Sequence, residues 1–461
     1  PLLTTAVFFA LLAGTIEALI AGVQVAAHRI IFVSYDLAWM TPVAYLAFFL
    51  PCALMVALGA RLLRRTVPAA TAIGLFGFFS VFALLLPYEQ IARWASVVLA
   101  AGVAIQLARA ATRAPGRWAR GMRVGAIGMA LAAAAVGAGA RVWRAVAERR
   151  ALAGLAAADG AAPNILLIVL DTVRRANLGV YGYARATTPI LDRRVREGVV
   201  FDRAVTVAPW TLTSHASLFT GRSAGSLGTD WRVPLGAGPR TLAEALAAHG
   251  YVTGGFVANL LYTSWESGLK RGFAHYDDYP MGASLVLMHS AIGRTRIVSK
   301  ILEDHSPRGI LSAFRTFSLR PSRVPGDVVR PANRITDAFL AWQPTAGSRP
   351  FFAFLNYFDA HGPYRAPEPW ASRFGGPERL PLDRYDGSIA WLDHEVGRLL
   401  DSLERRGVLD RTIVVVTSDH GELFGEHQLK SHGNSLYLPA LEVPLLVRYP
   451  AAVPAGTRVA A

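Results

Sequence analysis

Arg411 to His432 reads RTIVVVTSDHGELFGEHQLKSH, and within it Asp419 and His420 offer an oxygen and a nitrogen donor side by side. They follow Thr412 to Val416, a run of β-favouring residues without polar alternation, the pattern of a strand buried on both faces. In α/β sheets, sites lie beyond the carboxyl ends of such strands. Gly421 lets the backbone turn closely around whatever the pair holds. Taken alone, SDHG also reads as a turn whose Asp caps the next helix. A second run of the same kind weighs against that: Asn164 to Leu170, NILLIVL, leads straight into Asp171, and a carboxylate at the end of a buried strand needs a partner charge or a metal. Further on, APWTLTSHASLFTG, Ala208 to Gly221, places Thr211 in a polar turn before a helix expected from near residue 214. A hydroxyl near a helix N-terminus sits where backbone N–H groups favour an anion. Asp171, Thr211, Asp419 and His420 are expected to share one divalent cation.

The family resemblance carried by the longer runs around these residues implies that such a set does ester chemistry. Breaking a phosphate or sulfate ester takes a nucleophile, charge neutralisation on the non-bridging oxygens and a proton for the leaving oxygen. A threonine hydroxyl is a weak nucleophile at neutral pH. Coordination to a divalent cation lowers its pKa while drawing charge from the substrate. Mixed carboxylate and imidazole ligation ranks Zn and Mn above Mg and Ca.

The run NILLIVLDTVRRANLGVYGYARATTPILDRRVREGVVFDRAVTVAPWTLTSHASLFTGR resembles the sulfatase branch of the alkaline phosphatase superfamily. The likeness returns in FFAFLNYFDAHGPY, in SIAWLDHEVGRLLDSLERRGVLDRTIVVVTSDHGE and in HGNSLYLPALEVPLLVRYP, covering roughly Pro163 to the end. Carried over, it implies that Asp171, Asp419 and His420 are metal ligands, that Thr211 is the nucleophile, and that His361 and His432 contact the transferred group or its leaving oxygen. Beside them, Lys430 is a candidate fixed positive charge and Asn434 a candidate to orient His432, both on the substrate side. Asp359, His427, Glu422 and Glu426 rank behind these. The chain also departs from the family's best-known pattern. The C/S-x-P-x-R motif that yields formylglycine reads TLTSH, with Thr211, Thr213 and His215 at its defining places, so formylglycine is not expected. Thr172 stands where many sulfatases carry a second Asp, and Asp419-His420 replaces their Asp-Asn pair. Both departures point toward phospho-transferases.

Of the 461 residues, 53% are hydrophobic, and the mean hydropathy is +0.34, high for a soluble protein. The net charge of +15 comes from Arg scattered through an Ala/Gly/Leu-rich chain. Much of that distribution is compositional bias, with some pull toward anionic lipid headgroups, and no nucleic-acid-binding module is visible. Cys52 is the only cysteine, so no internal disulfide can form.

Five apolar runs, near 4 to 26, 37 to 60, 69 to 87, 91 to 108 and 122 to 140, approach the ~20 residues a bilayer core requires. Arg61, Arg64 and Arg65 follow the second run, and Arg109, Arg113, Arg117, Arg120 and Arg123 follow the fourth; the connections around Arg29 and Arg93 are poor in basic residues. The positive-inside rule then puts the N-terminus inside and everything after the fifth run outside, against which Arg141, Arg144, Arg149 and Arg150 stand as an exception. Glu17 interrupts the first run, as a functional carboxylate or as an interhelical hydrogen bond. Gly14, Gly22, Gly59, Gly102, Gly121 and Gly128 read as small-residue helix contacts.

The expected architecture is an all-α transmembrane bundle over residues 1–143, a linker at 144–162 and an α/β domain over 163–461, with a mixed, mostly parallel sheet covered by helices on both faces. The sheet is expected to be incomplete at its C-terminal side. Strands are expected at 164–170, 199–206, 251–257, 351–357, 412–417 and 443–448, and helices near 188–197, 214–221, 241–249 and 384–406. Residues 281–345 break the rhythm as an insertion or lid. There, Ser284 to Met288 and Ile310 to Phe317 mix with Arg294, Arg296, Lys300, Arg308 and Arg315, which reads as a basic amphipathic segment lying on a bilayer, as a substrate-covering insertion or as an ordinary helical subdomain. Together these readings describe a multi-pass protein of a bacterial-type cytoplasmic membrane with its catalytic domain outside. It would cleave or transfer phosphate or sulfate ester groups through a covalent Thr211 intermediate, with membrane lipids as partners and a lipid or lipid-linked glycan as favoured substrate. The alternative from another class is a catalytically idle membrane scaffold or sensor that keeps the fold. The sequence carries no signal for an oligomeric state.

Overall fold

The computed structural model describes residues 2–27, 34–279, 281–303, 330–375 and 380–460. The chain forms two compact units: Pro1–Ala27, Val33–Val146 and Pro280–Val328 make one, and His28–Phe32, Ala147–Tyr279 and Val329–Ala461 the other.

The first unit contains five long helices, α1 (Leu2–Ala26), α2 (Leu37–Leu62), α3 (Ala69–Leu85), α4 (Arg93–Arg113) and α5 (Pro115–Ala153). All but α3, at 17 residues, are long and apolar enough to cross a membrane. Leu19, Val23, Leu54, Met55, Leu58, Val98, Ile127 and Leu131 point outward, as they do on helices solvated by lipid. Phe9, Tyr45, Phe49, Ile73 and Phe76 fill the interior. At Gly14 a Cβ would lie 2.4 Å from the Pro42 Cα, so α1 and α2 meet backbone to backbone. Gly22, Gly59, Gly102, Gly121 and Gly128 face open space, and Gly125 against Phe8 and Gly137 against Trp39 take the contact role instead. Beyond the fifth apolar run the helix does not stop: α5 continues through 39 residues, because its Ala-rich sequence keeps high helix propensity past the apolar stretch. On this helix Arg144 pairs with Asp36 at 2.9 Å and Arg141 lies 3.9 Å from it, so an acidic residue offsets part of the basic charge that follows the run.

The second unit is built on an eight-stranded sheet of β1 (Asn164–Leu170), β2 (Val199–Phe201), β4 (Val252–Val257), β5 (His275–Asp277), β6 (Phe351–Tyr357), β7 (Thr412–Thr417), β11 (Leu445–Arg448) and β12 (Thr457–Val459). Two small ribbons flank it, β3 (Ala204–Val205) with β10 (Glu442–Val443) and β8 (Leu423–Phe424) with β9 (Lys430–Ser431). The order is β12-β2-β11-β7-β1-β6-β4-β5, parallel except where β11 runs antiparallel to β7 and β2. β1 lies at the centre, with Ile165 in register with Phe352 of β6 and Ile413 of β7. Its alternate residues divide the core. Leu166, Ile168 and Leu170 join Ile335 and Phe339 of the helix Ala332–Trp342 and Leu392 and Val396 of the helix Pro381–Arg405. Leu167 and Val169 face Leu212, Ala216 and Phe219 of the helix Thr211–Thr220 and Ala243 of the helix Leu242–Ala248. Helices thus cover both faces of a mixed, mostly parallel sheet.

Several expected boundaries move. The strand expected at 199–206 divides into β2 and β3, and the one at 443–448 divides at Pro444 into β10 and β11, since proline supplies no ladder donor. β5 and β12, three residues each, are too short to leave a periodic trace. The helix near 214 begins at Thr211 itself. The irregular stretch 281–345 also divides: Ala283–Met288 and Arg296–Glu303 fall in the first unit, whereas Ala332–Trp342 packs on the sheet of the second. Arg29, Arg308 and Ile310 to Phe317 lie outside the described residues.

Candidate active site

Four adjacent parallel strands deliver the site. Asp171 follows the last residue of β1, Asp419 and His420 follow β7, Asn259 follows β4, and Asn356 lies within β6. Asp171, Asp419 and His420 are all buried, and a donor atom from each lies within 4.8 Å of the others. Thr211, the first residue of its helix, holds its Oγ1 3.2 Å from His420 Nε2. Among the described residues no hydrogen bond reaches Asp171 Oδ1 or Asp419 Oδ2. Asp419 Oδ2 has imidazole nitrogens near it, His420 Nε2 at 3.4 Å and His215 Nδ1 at 3.7 Å, and two neighbouring buried carboxylates that each keep an oxygen without a hydrogen bond form an arrangement that a cation would stabilise. His420 Nδ1 donates to the Gly421 carbonyl at 3.0 Å, which fixes the tautomer and leaves the Nε2 lone pair toward that point. The donor set therefore fits a divalent ion.

The carboxylates are held from behind. Asn259 Nδ2 donates to Asp171 Oδ2 at 2.9 Å and reaches Thr211 Oγ1 at 3.5 Å. Asn356 Oδ1 accepts the Asn259 N–H at 2.9 Å, tying β6 to the turn after β4. Thr172 adopts a left-handed conformation at φ 64°, uncommon for a β-branched residue, and so aims its N–H at Asp419 Oδ1, 3.1 Å away. Its hydroxyl donates to the Ala360 carbonyl. At the place expected for a second acidic ligand, this chain has a residue that positions Asp419. Burial, and then the neighbouring Asp419 charge, raise the Asp171 carboxyl well above its usual range. Burial opposes ionisation of Asp419 as well, but His420, His215 and the Thr172 and His420 N–H groups outweigh it and hold that carboxyl low.

The His432 ring lies 4.5 Å from that of His420 and 4.9 Å from that of His361, centroid to centroid. His432 Nδ1 faces Glu422 Oε1 at 3.2 Å. Glu422 is buried, so it does more than line the surface. His361 stacks on Phe358 and donates from Nδ1 to the Gly362 carbonyl. Burial and the nearby His432 push its pKa down to about 4, so in the free protein its imidazole is neutral at pH 7. Asn434 does not reach His432; it donates to the Lys430 carbonyl, and both residues are exposed. Asp359 is buried, accepting from Trp391 Nε1 and the Ala332 N–H, and burial raises it to about 7. Glu426 pairs with Arg174, and His427 stacks on Tyr437.

The family model described as Sulfatase matches residues 163–460. The chain belongs to the sulfatase family. It is 26% identical to the steryl-sulfatase of Mus musculus over 65% of this chain and 59% of that protein. It is 27% identical to an arylsulfatase of Clostridium perfringens over 58% and 64%. The crystal structure of Ps i-CgsB shares the fold at a TM-score of 0.50 and 22% identity, covering 65% of this chain and 68% of that one. The chain spans about three-fifths of the length of the curated relatives it matches. Within this sulfatase-family domain, Asn259, Asn356 and Glu422 are the site residues that sequence reasoning passed over or ranked low. Asn259 had a usable signal: like Asp171, it is the first strongly polar residue after a buried strand.

Proposed function

We propose that this chain is a membrane-anchored, metal-dependent enzyme that cleaves or transfers phosphate or sulfate ester groups through a covalent Thr211 intermediate. The observation that carries the reading is the convergence of the Thr211 hydroxyl on His420 Nε2, beside the unpaired oxygens of Asp171 and Asp419. Asp171, Asp419, His420 and Thr211 would hold one divalent ion, with Zn or Mn favoured by the mixed ligand set. Bound there, it lowers the pKa of the hydroxyl and draws charge from a non-bridging oxygen.

Thr211, its proton released to water, attacks phosphorus or sulfur. Its Oγ1 bond to that atom forms as the bond to the leaving oxygen breaks. His432 gives its Nε2 proton to the leaving oxygen while Nδ1 stays with Glu422. The resulting threonine ester has no internal elimination route, so an acceptor hydroxyl must attack it in line. His432, now neutral, takes the acceptor's proton, and Thr211 leaves. Water as acceptor gives hydrolysis; an alcohol gives transfer.

A lipid or lipid-linked glycan is the favoured substrate. Only about ten residues separate the end of α5 from β1, a tether that spans at most about 35 Å, and a short link to an anchor is what a lipid-associated substrate would call for. The membrane is read as a bacterial-type cytoplasmic membrane with the catalytic domain outside. The test incubates the complete protein in bilayers with labelled phospholipid and, separately, with an aryl sulfate, and analyses the Thr211 peptide by mass spectrometry. A phosphorylated or sulfated Thr211 that is absent in Thr211→Ala is expected. Full activity in Thr211→Ala refutes the covalent step, and turnover of the soluble sulfate alone refutes the lipid assignment.

A further inference from the structure

A segment that belongs to the catalytic domain by sequence groups with the membrane helices by structure. The chain leaves the sheet unit after Tyr279, and residues 281–303 join α1 to α5. The helix Ala283–Met288 buries Leu285 and Met288 and packs on α2. After it, Ile292 lies against the bundle core that contains Phe9, Tyr45 and Phe49. The turn between them ends on Glu17, the carboxylate that interrupts α1. The Ala291 N–H donates to Glu17 Oε2 at 3.0 Å, the Tyr45 hydroxyl donates to the same oxygen at 2.7 Å, and the Arg294 guanidinium pairs with Oε1. His289 Nε2 accepts the Ser34 N–H at 2.9 Å while its Nδ1 donates to the Leu285 carbonyl.

These contacts set a depth. Glu17 lies about nine residues from the Ala26 end of α1, roughly 14 Å along the axis, and the 25-residue helix outruns a ~30 Å hydrocarbon core by only a few Å at each end. A partner that hydrogen-bonds this carboxylate through its backbone has entered the bilayer by about 10 Å. Non-helical backbone survives at such depth only where protein encloses it, and His289, Ser290, Ala291 and Thr295 are all buried. Val286 and Leu287, half-exposed on the short helix, are left to face lipid. The following helix Arg296–Glu303 alternates Ile297, Val298, Ile301 and Leu302 with Arg296 and Lys300, the pattern of a helix at the headgroup level.

We propose that Ala283–Thr295 is a re-entrant membrane segment, a second point at which the catalytic domain's chain enters the bilayer, fastened there by Glu17. The inference rests on the membrane-anchored reading, and it accounts for an intramembrane carboxylate whose cationic partner comes from about 280 residues away. The test places a nitroxide at Leu287→Cys in the full chain carrying Cys52→Ala, reconstituted in vesicles of phosphatidylethanolamine and phosphatidylglycerol. Leu19→Cys on α1 and Arg222→Cys in the catalytic domain are the references. Relaxation by oxygen, which concentrates in lipid, and by a water-soluble nickel chelate is measured at each. Expected is a Leu287 label relaxed by oxygen as the Leu19 label is, with nickel accessibility at least about tenfold below that at Arg222, and a severalfold rise in nickel accessibility when Arg294→Ala is added. A Leu287 label as open to nickel as the one at Arg222, with Leu19 protected, overturns the re-entrant segment alone. A Leu19 label open to nickel overturns the membrane anchor as well. No response to Arg294→Ala overturns the fastening role of the ion pair.

Discussion

Replacing Asp171 by Asn has opposite effects on stability with and without the ion. Donor atoms of Asp171 and Asp419 lie within 4.8 Å of each other in a buried site. At an effective dielectric of about 20, two full charges at that separation would repel by about 3 to 4 kcal/mol, a cost that the raised pKa of Asp171 relieves in part. In a chelated sample Asp171→Asn removes that repulsion and turns an amide N–H toward the unpaired Asp419 oxygen, while the amide oxygen still accepts from Asn259. The variant is then more stable than the parent by up to about 3 kcal/mol, a rise of several degrees in the melting temperature of a domain this size. With the ion in excess the order reverses. A ligand present at about a thousand times its Kd stabilises by ~4 kcal/mol, and the variant, short of one anionic ligand, forfeits most of this. Thermal unfolding of the catalytic domain in the complete protein, with a chelator and with added Zn or Mn, measures both values. A variant less stable than the parent under both conditions would show that Asp171 is an ordinary structural carboxylate and would refute the shared-ion site.

Glu422→Gln is expected to lower kcat by about 10 to 100-fold with little change in KM, because the amide still fills the space but no longer holds His432 as a carboxylate does; an unchanged kcat removes Glu422 from the mechanism. The His361 imidazole should titrate near pH 4 by NMR, neutral above that value and charged below it, and a midpoint at or above 6.5 contradicts the described packing. Asn259→Ala, which strips a donor from Asp171 and from the neighbourhood of Thr211, should cost about 10 to 100-fold in metal affinity or activity; equilibrium dialysis with the parent as reference measures the first. Gly14→Val drives a side chain into the Pro42 backbone and should lower the melting temperature of the bundle while leaving ion binding by the catalytic domain unchanged.

β1, β6 and β7 were legible to the residue because each is an unbroken apolar run between polar boundaries, and Asp171, Asp419 and His420 stood out as polar residues where such runs stop. The five helices were legible for the same reason, with α5 longer than its apolar part. Asn259 and Asn356 were not, since an amide carries no charge whose burial demands an explanation and its role exists only once β4, β6 and β1 lie side by side. Glu422 was ranked low because an acidic residue in a Gly-containing loop ordinarily faces water; its burial against His432 follows from tertiary packing. The division of 281–345 was hidden likewise. Ala283–Met288 and Ala332–Trp342 have similar apolar faces, and nothing local says that one meets α2 and the other the sheet.

The position of β1 at the centre of the sheet has a consequence for synthesis. Its two neighbours, β6 and β7, follow it in the chain by about 190 and 250 residues, and at about 5 to 20 residues per second β1 therefore waits about 10 to 40 s before β6 can pair with it and up to about 50 s for β7. Throughout that interval seven residues, apolar on both faces, present open backbone donors and acceptors to any other strand. Each newly made molecule is most exposed to mispairing after its membrane helices are complete and before β7 emerges, so a pause or truncation in that window leaves an aggregation-prone chain already bound to the bilayer.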